Sequence, residues 1–324
     1  MKVSVIVPIY KVETFIERCA STLLEQTLKE VEYIFVDDAS PDGSITKLQL
    51  VLKRYPERKN QVHLIRHPEN LGLPAARNSG LEVATGEFIF HCDSDDFVDR
   101  NMLEQLYAKA MATGADIVWC DWWLSFSKNN RYMKQPAYAT PLEALRGMLD
   151  GAMKYNVWNK LVRRSLYTDF EIRFPAGYGM GEDMTMLSLF VHAQRVAYLN
   201  QAFYYYVQQN TGAFSKTYSD RHLVELQHNV GETLAYLRKF RPDLELDYAF
   251  FKLNVKFPFL ITDDRRKYRL WQEWHPEANP YIWQNRAISI RSRWLQCCAW
   301  RRQFWLVRLH YMLLYQVVYG LIFR

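Results

Sequence analysis

The sequence has few features of an exported or zinc-stabilised protein. Its 324 residues contain five scattered cysteines: Cys19, Cys92, Cys120, Cys297 and Cys298. None forms a Cys-x-x-Cys pair, so neither a zinc site nor a disulfide framework is indicated. The apolar N-terminal stretch is short and is interrupted by Pro8, unlike a signal peptide. We therefore expect a cytoplasmic chain in a reducing compartment.

Acidic residues are absent after Glu277, although basic residues continue. The arginines of this stretch are Arg286, Arg291, Arg293, Arg301, Arg302, Arg308 and Arg324. Tryptophan and tyrosine are interspersed among them: Trp294, Trp300, Trp305, Tyr311, Tyr315 and Tyr319. This charge asymmetry predicts an anionic partner. A nucleic acid is not expected, because the arginines lie in an apolar, aromatic tail and not along a polar stripe.

The run over residues 304–323 is nearly long enough to cross a bilayer, which takes about 20 apolar residues. Arg308 and His310 interrupt it and are costly at the bilayer centre. Arg301, Arg308 and Gln316 share a rough polar side. We therefore expect residues 286–324 to lie in the anionic surface of the inner face of the cell membrane. The alternative is packing against the preceding part of the chain or a second subunit, as in a homo-oligomer.

Strand and helix patterns alternate through the first third of the chain. Strand-like runs cover residues 3–7, 33–36, 62–65, 88–91 and 116–120. Between them, apolar residues recur with helical spacing, Pro74 suits a first helical turn, and Gly114 closes a helix. The alternation predicts an α/β fold with a mostly parallel sheet. Ligands of such folds bind at the carboxyl ends of the strands.

The pattern changes later in the chain. Thr140 and Glu143 form a capping-box pattern that predicts a helix through Leu149. From about Asp220 the pattern is helical only. We therefore predict an α/β domain over residues 1–215, a helical extension over 216–277 and a basic aromatic amphipathic tail over 278–324.

Two acidic clusters follow predicted strands. Asp93 and Asp95 stand two apart after residues 88–91, and such carboxylates suit Mg²⁺ or Mn²⁺ that also binds diphosphate oxygens. Asp37 and Asp38 follow residues 33–36. A carboxylate there can accept from a nucleoside base or a ribose hydroxyl, and two adjacent ones repel unless a cation or a hydrogen donor lies between them. Asp42 and Ser44 have the simpler explanation of a turn and a helix cap.

A third segment, residues 70–80, is a loop that runs into a helix carrying Arg77 on its first turns. The guanidinium could pair with a diphosphate or with one of the aspartates. A solvated helix arginine is the plain alternative.

Several segments together resemble the ordered motifs of family-2 glycosyltransferases. They are residues 4–10, 36–44, 70–80, 84–87 and 93–96, in that order within residues 1–99. The resemblance implies a Rossmann-like nucleotide-diphospho-sugar transferase domain of the GT-A type, followed by a helical C-terminal region, and inversion at the anomeric carbon. The sequence departs from the family at Ala39, where glycine is frequent, and at His91, where an apolar residue is usual.

The resemblance also implies roles for individual residues. Pro8 and Tyr10 line the nucleotide pocket, Asp37 or Asp38 holds the base, Asp93 contacts the ribose, and Asp95 binds the metal.

A general base is also required, because an acceptor hydroxyl must lose its proton. Glu182 and Asp183 follow a glycine-rich loop and resemble the family's Glu-Asp motif, which makes Asp183 the base and leaves Glu182 to steer the acceptor or the diphosphate. Lys160 resembles a family lysine near the donor and can offset diphosphate charge. Trp158 suits either sugar stacking or core packing.

These observations predict a metal-dependent transferase that moves one sugar from a nucleoside diphosphate, most often UDP, to a glycan or lipid-linked hydroxyl. A role in bacterial surface polysaccharide synthesis is expected by analogy. The alternative is a non-catalytic nucleotide- or glycan-binding member of the same fold. A sugar nucleotidyltransferase is disfavoured, because no Gly-rich phosphate loop follows the first strand.

Overall fold

The computed structural model of the protein describes residues 1–210 and 219–314. Its strands are β1 (Val3–Ile9), β2 (Val31–Asp37), β3 (Val62–Arg66), β4 (Phe88–His91), β5 (Phe97–Val98), β6 (Ile117–Ser125), β7 (Asn130–Met133), β8 (Lys160–Arg163) and β9 (Val196–Val207). Its α-helices are α1 (Ile16–Leu24), α2 (Ser44–Leu52), α3 (Leu73–Val83), α4 (Met102–Thr113), α5 (Pro141–Asp150), α6 (Arg164–Thr168), α7 (Thr185–His192), α8 (Asp220–Phe240), α9 (Glu245–Lys256), α10 (Arg265–Glu273), α11 (Ile290–Trp300) and α12 (Phe304–Tyr311).

The strands form one mixed sheet in the order β3-β2-β1-β4-β8-β6-β9-β5, with β7 beside β6. β3, β2, β1 and β4 are mutually parallel, and β6 is parallel to β9. β8 runs antiparallel between β4 and β6. Every residue of β1 and β2 is buried, as expected for parallel strands covered on both faces. The predicted α/β fold with a mostly parallel sheet is confirmed.

Close packing of α3 on β1 depends on a glycine. A Cβ atom at Gly80 would lie 2.4 Å from Cγ2 of Ile6, so the helix approaches the strand only because no side chain intervenes. Pro74 lies in the first turn of this helix, and Gly114 ends α4 with φ of 63°, both as predicted. Gly80 therefore allows α3 to lie close to the central strand of the parallel group.

The predicted capping box at α5 is also present. Thr140 Oγ1 accepts from the Glu143 N–H over 3.2 Å, and Glu143 Oε2 accepts from the Thr140 N–H over 3.2 Å. Two donors at the helix N-terminus are thereby satisfied.

The chain divides into two compact units. One contains Met1–Glu143 and Tyr155–Leu237, and the other contains Ala144–Lys154 and the chain from Arg238 onward. The predicted boundary near residue 215 lies outside the described residues, as do Tyr315, Gln316, Tyr319 and Arg324 of the predicted tail. Within the described part of the chain, no helix has the length and apolarity to cross a bilayer.

Candidate active site

Strand register brings the two acidic clusters to one edge of the sheet. Parallel pairing places Ile9 of β1 opposite Asp37 of β2, and Ile6 of β1 opposite His91 of β4. Asp37 and the turn that begins at Asp93 therefore leave the sheet at the carboxyl ends of neighbouring strands. That edge is where α/β sheets bind ligands.

Asp38 anchors the loop that leads into α3. It is 2% exposed, and its carboxylate accepts from the N–H groups of Leu71 over 2.8 Å and Gly72 over 2.9 Å. Its Oδ1 also lies 2.7 Å from Nδ1 of His67. These contacts stabilise the negative charge of Asp38, which the adjacent carboxylate of Asp37 would otherwise destabilise. Asp38 is therefore occupied with the backbone of the neighbouring loop.

Asp37 is the more accessible acid of this pair. Its Oδ1 accepts from the Ser40 N–H over 2.9 Å, and its Oδ2 lies 3.8 Å from Nε of the exposed Arg66. Of the two candidates for contact with a nucleoside base, Asp37 has the more exposed side chain, 12% against 3% for Asp38.

The turn after Asp38 contains a residue in the left-handed region. Ala39 has φ of 53°, a conformation that costs a residue with a Cβ more than it costs glycine. This explains in physical terms why glycine suits this position. Further along, Asp42 Oδ1 accepts from the Ser44 N–H over 3.1 Å, as a turn role predicts.

Arg77 is buried between two acids. Only 1% of the residue is exposed, Nη2 donates to Asp93 Oδ1 over 2.8 Å, and Nε donates to Glu182 Oε1 over 3.1 Å. Its guanidinium carbon lies 5.6 Å from the centre of the Phe174 ring. Of the predicted alternatives, the structure shows pairing with an aspartate. The same cation also reaches the segment that carries Asp183.

The acidic turn after β4 contains three carboxyl groups with different surroundings. Asp96 is fully buried and accepts from Tyr204 Oη and from the Val207 N–H, each over 2.7 Å. Burial, with the charges of Asp95 and Asp93, raises its pKa well above the usual range. Asp96 is thus part of the support of the turn.

Tyr204 of β9 is a site residue that no sequence motif indicates. Its hydroxyl donates to Asp96 and accepts from the Asp93 N–H over 3.1 Å. Asn210 was also missed, and its Nδ2 donates to Asp95 Oδ2 over 2.8 Å. Both follow the acidic turn by more than a hundred residues, so no local motif connects them to it.

The acidic turn suits a metal that takes few protein ligands. Asp95 is partly exposed, whereas Asp96 is engaged with Tyr204 and Asp93 with Arg77. No cluster of three or more acidic, histidine or cysteine side chains that could hold an ion occurs within residues 1–210 and 219–314. The Asp95 carboxylate, which also accepts from Asn210, fits Mg²⁺ or Mn²⁺ that binds mainly through substrate phosphates and water.

Glu182 and Asp183 begin a short 3₁₀ turn that continues into α7. Glu182 is buried, and its pKa is raised well above the usual range by burial, against the opposing effect of Arg77. Burial also raises the pKa of Asp183, again opposed by Arg77. A carboxylate with a raised pKa is a stronger base, as general-base catalysis near neutral pH requires.

Lys160 lies near Asp183 and is also buried. Its Nζ donates to the Asn156 carbonyl over 2.7 Å and to Asn159 Oδ1 over 2.9 Å. Burial lowers its pKa to about 7, while the charge of Asp183 acts in the opposite direction. Asn159 accepts from this ammonium, and its Nδ2 donates to the Cys120 carbonyl over 2.9 Å.

The remaining residues singled out from the sequence, Pro8, Tyr10 and Trp158, differ in solvent exposure. Pro8 is buried in β1, and Tyr10 beyond its end is 40% exposed. Trp158 is buried and stacks on Tyr204 and Tyr206, with ring centroids 4.5 and 5.2 Å apart. Of the two predicted roles for Trp158, core packing is the one that the structure shows.

His91 lies near Arg77 in an aromatic environment. Its ring centre is 5.0 Å from that of Phe174 and 6.1 Å from that of Tyr167. Neither ring nitrogen has a hydrogen-bond partner among the residues that the structure describes. Burial, with the charge of Arg77, lowers its pKa well below the usual range, so the ring stays neutral.

Comparison with known proteins shows the family. The sequence model of glycosyl transferase family 2 matches residues 4–180, more than half of the chain. The chain therefore belongs to glycosyl transferase family 2. It is similar to EpsJ of Bacillus subtilis strain 168, an uncharacterized glycosyltransferase, with 34% identity over 63% of this chain and 60% of EpsJ. It is also similar to the cholesterol galactosyltransferase of Borreliella burgdorferi, with 31% identity over 81% of this chain and 74% of that protein.

Solved structures agree on the fold. S. aureus TarS 1–349 in complex with UDP-GlcNAc superposes with a TM-score of 0.70 at 21% identity, over 98% of this chain and 92% of that chain. The mannosyltransferase PcManGT from Pyrobaculum calidifontis, in complex with GDP-Man and Mn²⁺, superposes with a TM-score of 0.51 at 18% identity. The match covers 94% of this chain and 87% of that chain. The predicted GT-A type fold is therefore confirmed. The chain spans about three fifths of the length of EpsJ.

Proposed function

We propose that this protein is an inverting glycosyltransferase that moves one sugar from a nucleoside-diphosphate sugar to an acceptor hydroxyl. The observation that carries the proposal is the buried Arg77, which hydrogen-bonds both Asp93 of the acidic turn and Glu182 beside Asp183. One cation thus joins the predicted donor side of the site to the residue beside the predicted base. A charge so deeply buried is stable only when it is paired.

On the donor side, the exposed ring of Tyr10 can cover a nucleoside base. Asp37 can accept a hydrogen bond from the same base. Asp93 is oriented by Arg77 for contact with the ribose. Lys160 can offset charge on the diphosphate, because its buried ammonium is held by neighbouring oxygens. A Mg²⁺ or Mn²⁺ ion held by Asp95 would neutralise negative charge on the departing nucleoside diphosphate.

On the acceptor side, Asp183 takes the proton of the acceptor hydroxyl. The acceptor oxygen forms a bond to the anomeric carbon, and the bond from that carbon to the phosphate oxygen breaks with its electron pair. The nucleoside diphosphate leaves from the opposite face, so the configuration inverts. Glu182 steers the acceptor or the diphosphate while Arg77 holds its carboxyl group.

The relatives support the donor and the biological setting. The TarS complex contains UDP-GlcNAc, and EpsJ and TarS belong to bacteria. We therefore propose a UDP-sugar donor and a role in bacterial surface polysaccharide synthesis. The Borreliella relative is named for a galactosyl transfer to cholesterol, which supports a lipid-linked acceptor as an alternative to a free glycan.

A donor panel tests this function. The protein is incubated with UDP-glucose, UDP-galactose, UDP-GlcNAc and GDP-mannose, with Mn²⁺, Mg²⁺ or excess chelator, and release of nucleoside diphosphate is measured. One donor should turn over in the presence of metal. Tight nucleotide binding without turnover of any donor, with glycan and lipid-linked acceptors present, would favour the non-catalytic alternative.

The described part of the tail supports docking on an anionic membrane at the inner face of the cell membrane. Trp305 of α12 is 68% exposed, and further exposed apolar residues on α11 and α12 are Ile290, Trp294, Trp300 and Leu309. Arginines accompany them and no acid follows Glu277. Exposed tryptophan beside arginine suits the headgroup region of anionic lipid.

Flotation with vesicles of anionic or neutral lipid tests the docking. The full chain should float with anionic vesicles, and Trp305→Ser should weaken flotation. Leu50→Ser is a matched control, because Leu50 of α2 is 57% exposed in the other unit. A folded full chain that stays in the soluble fraction would contradict membrane docking.

A further inference from the structure

The loop before Asp183 is rich in glycine. It contains two glycines in the left-handed region, Gly177 with φ of 83° and Gly181 with φ of 86°. A Cβ atom at Gly177 would meet no atom within 4 Å, so nothing packs closely against the start of the loop. Such a segment has many accessible conformations. Contacts from elsewhere in the chain therefore help to set the position of Asp183.

Those contacts come from one face of α8. Asn229 Nδ2 donates to the carbonyl of Tyr178 over 2.8 Å and to the carbonyl of Met180 over 2.9 Å. Glu225 Oε2 accepts from the Met180 N–H over 3.0 Å. The His228 ring stacks on the Tyr178 ring, with centroids 3.6 Å apart and planes 15° apart.

The contacts are directed at the backbone of the loop. Glu225 and Asn229 are both buried, and Glu225 Oε1 is held by Arg221 Nε over 2.8 Å. The Gly179 carbonyl then accepts from the Glu182 N–H over 3.2 Å, which links the held segment to the acidic pair. Val230, Leu234 and Leu237 are buried, so the apolar part of α8 anchors the helix by separate contacts.

We propose that Glu225, His228 and Asn229 of α8 are positioning residues for the general base. They hold residues 178–181 in one conformation, and this places Asp183 where it meets the acceptor hydroxyl. The inference rests on the proposed function of Asp183. None of the three touches the reacting atoms in this proposal. Glu225 and Asn229 act through the loop backbone, and His228 acts through the Tyr178 ring.

Asn229→Ala is the direct test, because it removes two donated hydrogen bonds from the loop. Hydrogen exchange of residues 177–184, measured without any ligand, should become faster. With the UDP-sugar that turns over in the panel, kcat should fall about 10-fold or more, because small displacements of a catalytic group are costly. UDP affinity should stay within about 2-fold, because these contacts do not reach the donor side.

Tyr236→Phe is the matched control on the same helix. It removes a hydrogen bond between Tyr236 Oη and Nε2 of His192, 2.7 Å apart, without touching the loop. Exchange of residues 177–184 and kcat should both stay unchanged in this variant. Equal losses in both variants would show a general loosening of α8 and overturn the proposal.

Substitution of His228 provides a second test, which does not require that Asn229→Ala folds. His228→Ala should lower kcat, and His228→Phe should restore most of it, because phenylalanine retains the stack on Tyr178. Unchanged exchange and kcat in Asn229→Ala would overturn the positioning role. If Asp183→Asn keeps full turnover, the assignment of the base fails instead, and exchange still reports whether α8 holds the loop.

Discussion

Arg77 and Glu182 are 105 residues apart in sequence and are joined by a hydrogen bond of 3.1 Å in a buried environment. The bond connects α3, which follows the loop anchored by Asp38, to the segment that carries the predicted base. The second hydrogen bond of the guanidinium reaches Asp93. The donor-side turn and the base segment therefore share one cation.

Arg77→Ala should destabilise the protein strongly, because it leaves Asp93 and Glu182 without their cation. Removing one member of a buried ion pair costs about 3–5 kcal/mol. Urea unfolding of the variant measures this loss. Arg66→Ala is the control, since Arg66 is largely exposed and 3.8 Å from its acid, and it should change stability by less than about 1 kcal/mol. A similar small change in Arg77→Ala would contradict the ion-pair assignment.

Asp183→Asn should preserve nucleotide binding and lower kcat by about 10²–10⁴, the usual range for loss of a general base. In the wild type, the pH profile of kcat/KM should lose activity on the acid side at a pH above 3.8, the ordinary value, because burial raises the pKa of Asp183. That limb should disappear in Asp183→Asn. A variant impaired only in nucleotide affinity would show that another residue is the base.

Asp95→Ala should abolish transfer and leave the fold intact, because this partly exposed carboxylate contributes to the site more than to the core. Asp96→Ala, by contrast, should lower the free energy of unfolding by roughly 1–3 kcal/mol, because the buried Tyr204 hydroxyl and Val207 N–H lose their acceptor. Urea unfolding and UDP release separate the two. Full activity in excess chelator would contradict the metal role of Asp95.

Ala39→Gly should stabilise the protein by about 1 kcal/mol, because Ala39 has φ of 53° and glycine adopts this conformation without steric cost. Ala108→Gly is the matched control on the exposed side of α4, and it should destabilise by about 1 kcal/mol. Urea unfolding measures both. Equal destabilisation of the two variants would mean that Ala39 is not strained.

Much of the fold and the location of the site could be predicted from local sequence. Buried parallel strands have apolar, β-branched sequences. The residues that follow them are polar, because they lie at the edge of the sheet where ligands bind. Pro74, Gly114 and the Thr140–Glu143 capping box act within one or two turns of chain. Their effects therefore depend on neighbouring residues alone, and the structure confirms each of them.

The partners of the site residues were decided only by the tertiary structure. Asp37 and Asp38 are adjacent in sequence, yet Asp38 is turned to the backbone of the loop before α3 and Asp37 keeps accessible carboxylate surface. Tyr204 and Asn229 have no motif that marks them, because their hydrogen bonds reach chain far away in sequence. Local propensity sets where a strand or helix forms, whereas burial and hydrogen bonding between distant segments determine which side chains meet in the site.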